Sequence, residues 1–139
     1  TFDKYGFLWL ADAYAHGGSL YKWSKADGLK KYAENLIPEH PENPPYKEKN
    51  HQLIYGIGFS EKGHPVICES AGRQVKELYP SGKTKVIYQS PAHFFPVGVY
   101  YYDRKYYVME IGYISGKGHV GPYIITVAGN KFIRDKLTY

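Results

Sequence analysis

Apolar residues recur along this chain in short runs cut by glycine, proline and small polar residues, and helical spacing is weak throughout. Such runs predict strands. The first unit offers an apolar run at 7–11 beside Asp12, then strands at 19–23 and 29–35 around a turn at 26–28. The second offers a strand at 54–60, a turn at 61–63, an apolar strand ending in Glu69, and strands at 74–78 and 84–89 around a turn at 80–82. The third repeats that order with 97–102, a turn at 103–105, an apolar strand through Glu110, and strands at 123–127 and 131–137 around 128–130. Glycine, proline, aspartate, asparagine or serine marks every turn, as tight chain reversals require.

The order is an internal repeat. Tyr55-Gly56-Ile57-Gly58-Phe59-Ser60 matches Val97-Gly98-Val99-Tyr100-Tyr101-Tyr102, with Gly56 and Gly98 42 residues apart (98 − 56 = 42). Glu69 and Glu110 are 41 apart (110 − 69 = 41). Asp12 precedes Glu69 by 57 (69 − 12 = 57), and the excess falls in a proline-rich insertion at 37–50. Pro38, Pro41, Pro44 and Pro45 lack the amide protons a central strand needs, so that insertion is expected as a surface loop. Four antiparallel strands per unit of about forty residues describe a propeller blade.

The expected fold is therefore all-β, a partial β-propeller forming a single domain over 1–139. Its blades are 1–36, which lacks a full inner strand, then 51–90 and 91–139. Three blades do not close a ring, and an open fan leaves apolar faces and strand edges uncovered. Completion is expected from a second copy, as a homodimer, or from upstream blades of a longer chain.

Composition narrows the class further. With 139 residues, 43% of them hydrophobic, the chain is long enough for a packed core and too apolar for disorder. The sixteen tyrosines suit half-buried pleated surfaces. A net charge of +5 is interrupted by Asp27 and Glu48 where lysines are densest, so no nucleic-acid partner is expected. No apolar run reaches the length of a membrane span, and the chain reads as soluble, with a secreted or periplasmic location left open. It opens Thr1-Phe2-Asp3 without a basic or apolar leader or an initiator Met, which implies processing or a fragment. The one cysteine, Cys68, excludes an internal disulfide framework; lying in a strand with no basic partner nearby in sequence, it is expected to be buried and inert.

The run from Phe59 through Glu69-Ser70-Ala71-Gly72-Arg73 to Val75, with Pro96-Val97-Gly98-Val99, resembles blades of the NHL-repeat and SMP-30/gluconolactonase-like six-bladed propellers. The resemblance spans most of 5–137 but about half of such a ring. It implies a central channel lined by the inner strands. NHL-type propellers are mostly binding modules, which implies a small-molecule, glycan or protein ligand at the channel or rim. The SMP-30-like lactonases imply instead a hydrolase with a channel-bound divalent cation, calcium or zinc. In those enzymes an asparagine usually stands between the proline and glycine of an inner strand. Here that place holds Tyr55 and Val97, and valine offers a hard cation no side-chain oxygen.

Asp12, Glu69 and Glu110 end equivalent strands, so they are expected at one radius on one face. They are candidate metal ligands, Glu69 and Glu110 also candidate catalytic carboxylates. The competing expectation is that they accept hydrogen bonds from the backbone of the following loop. His16, His51, His93 and His119 all fall near loop ends, with no zinc-motif spacing among them. His51 and His93 approach an inner strand, and with Tyr55, Tyr113 and His119 they form the candidate ligand-binding set. The glycine-rich stretch 112–121 reads as a rim loop or a plain connection. Tyr100, Tyr101 and Tyr102 alternate in direction and are expected to pack between blades.

Overall fold

The computed structural model describes residues 1–12, 17–37 and 53–137, and among these there is no helix. Among the described residues, eleven strands form three antiparallel sheets that follow the three repeat units. The first sheet contains β1 (Leu8–Asp12), β2 (Ser19–Ser24) and β3 (Gly28–Glu34), and Phe2 bridges Leu8 as a rudiment of an inner strand. The second runs β4 (Ile54–Phe59), β5 (Pro65–Glu69), β6 (Gln74–Leu78) and β7 (Thr84–Gln89) in sequential order. The third does the same with β8 (Phe94–Tyr102), β9 (Lys105–Ile114), β10 (Gly118–Ala128) and β11 (Lys131–Lys136). Most of the proline-rich insertion lies outside the described residues.

Strand alternation gives each blade two faces, and the core fills the gaps between blades rather than one central cavity. Trp9 and Leu20 of the first blade meet Ile54, Ile67 and Leu78 of the second, with Leu36 and Ile37 closing that gap. Val66, Cys68, Val75 and Tyr88 of the second blade meet Val108, Ile125 and Val127 of the third. On β5, Ile67 thus faces backward to the first blade while Val66 and Cys68 face forward to the third, and the whole strand is buried. Full burial of each such aliphatic side chain contributes about 1.5–3 kcal/mol.

The inner strands β4 and β8 lie against one another, and glycine is what allows it. A Cβ on Gly56 would stand 2.7 Å from the carbonyl oxygen of Val97, and one on Gly58 would run into that of Val99. Gly56 and Gly58 are therefore sites of backbone-to-backbone approach between blades.

Two expectations need correction. The stretch 112–121 is no loop: β9 and β10 continue through it as a hairpin turning at Ser115-Gly116-Lys117, with a bulge between Val120 and Tyr123. Gly116 and Gly118 carry the positive φ of that turn, 80° and 73°, so glycines that looked like loop residues are turn and strand-end residues. Tyr100 and Tyr102 are exposed rather than packed between blades, because among the described residues nothing lies against that side of the third sheet; of the three, only Tyr101 is partly covered, edge-on to Tyr106.

Candidate functional site

The carboxylates that end the middle strands are clamps between blades. Glu69 and Glu110 are wholly buried. Oε2 of Glu69 accepts the backbone N–H of Gly72 at 2.7 Å, capping the turn between β5 and β6. Its other oxygen is 3.1 Å from Nζ of Lys76, close enough for an ion pair but out of hydrogen-bond alignment, while Lys76 also reaches the Leu36 carbonyl of the preceding blade at 3.4 Å. Glu110 repeats the arrangement with different partners. Its Oε1 accepts the hydroxyl of Tyr88, from the preceding blade, at 3.0 Å, and its Oε2 pairs with Arg134 at 2.7 Å. Burial, followed by the charge of Glu110, holds the Tyr88 phenol far above its ordinary pKa. Asp12 occupies the equivalent strand end opposite Ser19 in the first blade. Among the described residues, no group of three or more His, Cys, Asp or Glu side chains is gathered to hold a metal ion.

The same end of the blades gathers an aromatic surface. Strand β8 begins at Phe94, three residues earlier than its sequence pattern predicts, and this brings His93 beside the β9–β10 hairpin. The Tyr113 N–H donates to the His93 carbonyl at 2.9 Å, and Tyr113 is paired in register with His119. His93, Tyr113 and His119 thus stand side by side across the end of one sheet, all exposed, with the Tyr113 and His119 rings edge-to-face at 5.6 Å. Behind them the Arg134 guanidinium lies over Phe94 at 3.8 Å and Tyr123 at 4.2 Å while it holds Glu110, so the aromatic layer and the buried carboxylate are one unit. Tyr55 enters from the second blade and stacks on Phe95 at 5.7 Å. The candidate ligand-binding residues His93, Tyr113 and His119 are therefore brought together, and Tyr55 reaches the same blade end through Phe95. His51 and His16 lie outside the described residues.

Sequence reasoning missed Arg134, Phe94, Phe95 and Tyr88. Arg134 stands on a strand every residue of which is exposed, and nothing in its neighbours marks it. A second polar group lies at the opposite end of the blades. There Nδ1 of His64 is 2.9 Å from Oε1 of Glu77, and the Tyr79 hydroxyl donates to Oε2 at 3.2 Å. Close by, a cleft of about 400 Å³ opens between Phe2, Phe59, Ser60, Glu61, Tyr100 and Tyr101. Cys68 is buried, and burial pushes its thiol far above its ordinary pKa, as expected of an inert cysteine.

No helix among the described residues is long and apolar enough to cross a membrane. No family model matches the sequence, and no curated protein matches it. Among solved structures, the chain is similar to the selenomethionine-substituted virginiamycin B lyase of Staphylococcus aureus, a β-propeller, with a TM-score of 0.63 at 15% identity over the whole of this chain. The match covers 40% of that protein, so this chain spans well under two thirds of its length. At that identity the likeness is one of fold, and with the three antiparallel sheets it makes this an all-β chain of β-propeller blades.

Proposed function

We propose that this chain is an NHL-like β-propeller binding module that recognises a hydroxylated ring, such as a sugar of a glycan, at the blade end carrying His93, Tyr113 and His119. The observation that carries this reading is the alignment of those three exposed side chains across adjacent strands, close to the Tyr55–Phe95 stack. Aromatic faces give a sugar ring a flat apolar platform, and imidazole nitrogens supply donors and acceptors for its hydroxyls. Because Arg134 and Glu110 fix Phe94 and Tyr123 beneath them, the platform is preorganised, which lowers the ordering cost of binding. The buried, ion-paired state of Glu69 and Glu110 suits a supporting role for these carboxylates and favours recognition over hydrolysis.

The test is an array of immobilised neutral and acidic glycans, followed by calorimetric titration with the strongest soluble hit. Binding is expected to weaken at least tenfold in Tyr113→Ala and in His119→Ala, with the fold intact by circular dichroism. Retention of full affinity in both variants, or no binding across the array, overturns the reading.

A further inference from the structure

We infer that the ring taken at the His93–Tyr113–His119 blade end carries a carboxylate held by Arg73, which makes glycans built from uronic acids the ligand class. The inference rests on the sugar-binding reading above and adds the charge of the ligand to it. Arg73 closes the turn between β5 and β6, its N–H donating to the Ser70 carbonyl at 3.1 Å. It stands two residues before Val75, which packs against the third blade. Its own carbonyl accepts the Ser90 N–H at 2.9 Å and Nε2 of Gln89 at 3.2 Å. From Ser90 the link to β8 turns through the Phe94 N–H, which donates to the Pro91 carbonyl at 3.1 Å, and presents His93. Arg73 and His93 are therefore tied to the two ends of one short link, and the His93 carbonyl in turn holds Tyr113.

Both residues have a left-handed backbone, with φ of 56° at Arg73 and 70° at His93, where a side chain is normally disfavoured. Such conformations persist where the surroundings over-determine them, and they gather at sites that must present a side chain in one place. The Arg73 guanidinium makes no hydrogen bond or ion pair among the described residues. Its Nε is sealed from water, whereas its terminal nitrogens are not. A guanidinium with its stem enclosed and its fork open meets a planar carboxylate through two parallel N–H bonds, a geometry that a lone hydroxyl cannot match.

The charges around the platform point the same way. The turns and links of this blade end, 70–73, 90–93 and 115–117, carry Arg73, His93 and Lys117 and no acid. Glu69 and Glu110 are buried and already paired, with Lys76 and Arg134. Asp135 alternates with Arg134 on β11 and so belongs to the other face of that sheet. An anionic ring thus meets a surface of one sign, with a fork to receive its carboxylate and aromatic rings to carry its apolar face.

The test is calorimetric titration with oligomers of galacturonic, glucuronic and mannuronic acid, each beside its fully methyl-esterified form, which keeps the ring and loses the charge. The tightest acid is expected to bind at least tenfold more strongly than its ester at low salt, and added salt should remove most of that advantage. Arg73→Gln, with its fold checked by circular dichroism, should bind acid and ester alike, and Arg73→Lys, which keeps the charge but not the fork, should fall between. Tyr113→Ala should weaken both forms. An ester as tight as its acid in the wild type, an acid preference that survives Arg73→Gln, or capture of neutral or sulfated glycans in preference to every carboxylated one overturns this inference and leaves the sugar platform standing. No binding of any glycan, charged or neutral, overturns both.

Discussion

Replacing Tyr88 and Glu110 singly and together measures how much the buried clamp holds the second and third blades against each other. The Tyr88 hydroxyl donates to the carboxylate at 3.0 Å in a place where neither oxygen of Glu110 reaches water. A hydrogen bond to a charged group is worth about 1.5–3 kcal/mol, and removal of one partner also leaves a buried polar atom unpaired. Tyr88→Phe is therefore expected to cost about 2 kcal/mol. Glu110→Gln removes the charge opposite Arg134, whose side chain is 33% exposed and can rehydrate, so its cost should be about 2 kcal/mol rather than the 3–5 of a fully enclosed pair. The amide oxygen introduced by Glu110→Gln can still accept from the Tyr88 hydroxyl, so the coupling is the excess of a charged over a neutral hydrogen bond. The double variant should therefore fall short of additivity by about 1 kcal/mol. Urea unfolding followed by the fluorescence of Trp9 and Trp23, at one fixed protein concentration, reads all four free energies. Additivity within about 0.5 kcal/mol would falsify the clamp. The phenol adds a check on sign. Its pKa is raised in the fold by burial and then by Glu110, so its contribution is fully present below the unfolded value of about 10 and is lost as pH climbs above it. Tyr88→Phe should flatten the fall in stability above that pH.

Three other outcomes follow from the packing and the charges. Gly58→Ala should destabilise the chain by about 2 kcal/mol or more by thermal melting, since its methyl would meet the Val99 carbonyl across the inner strands, while Gly82→Ala, whose Cβ meets open space, should cost about 1 kcal/mol through its positive φ alone. The Cys68 thiol should resist a thiol-reactive disulfide reagent at pH 8 in the native state and react fully in urea; rapid native labelling would show that its strand opens. Asp3 is pushed up by burial, but hydrogen bonds from Trp9, Phe7 and Tyr5 outweigh that and leave its pKa lowered. Its contribution of about 1 kcal/mol is thus present above the ordinary carboxylate pKa near 4 and lost as pH falls below it, and Asp3→Asn should abolish that part of acid unfolding.

The blade repeat was legible because turns and strand-end carboxylates are local features, fixed by residue type and spacing. Strands β2, β6, β7 and β11 fall within a residue or so of the runs that predict them. Positions 112–121 were misread because a glycine-rich run has the same composition in a loop as in a bulged hairpin, and only the pairing of Tyr113 with His119 distinguishes them. The place of Glu110 was likewise legible, yet its partners were not: Tyr88 lies 22 residues before it and Arg134 two strands beyond, and a bulge shifts the pairing between. For Tyr100 and Tyr102 the alternation was correct, but which side is covered depends on which blade comes next, a property of ring order that no local pattern carries.

The complete burial of β5 has a further consequence for how the molecule comes apart. A strand with a neighbouring blade on each face has no solvent side from which to fray, so its amides can exchange with water only when both gaps open. The blades then behave as a short row of nearest-neighbour units in which the end members open first and the middle one sets the ceiling of local stability. Slow amide exchange should be concentrated in β5 and β6, and each blade added to the row would raise the protection of the one beside it more than its own.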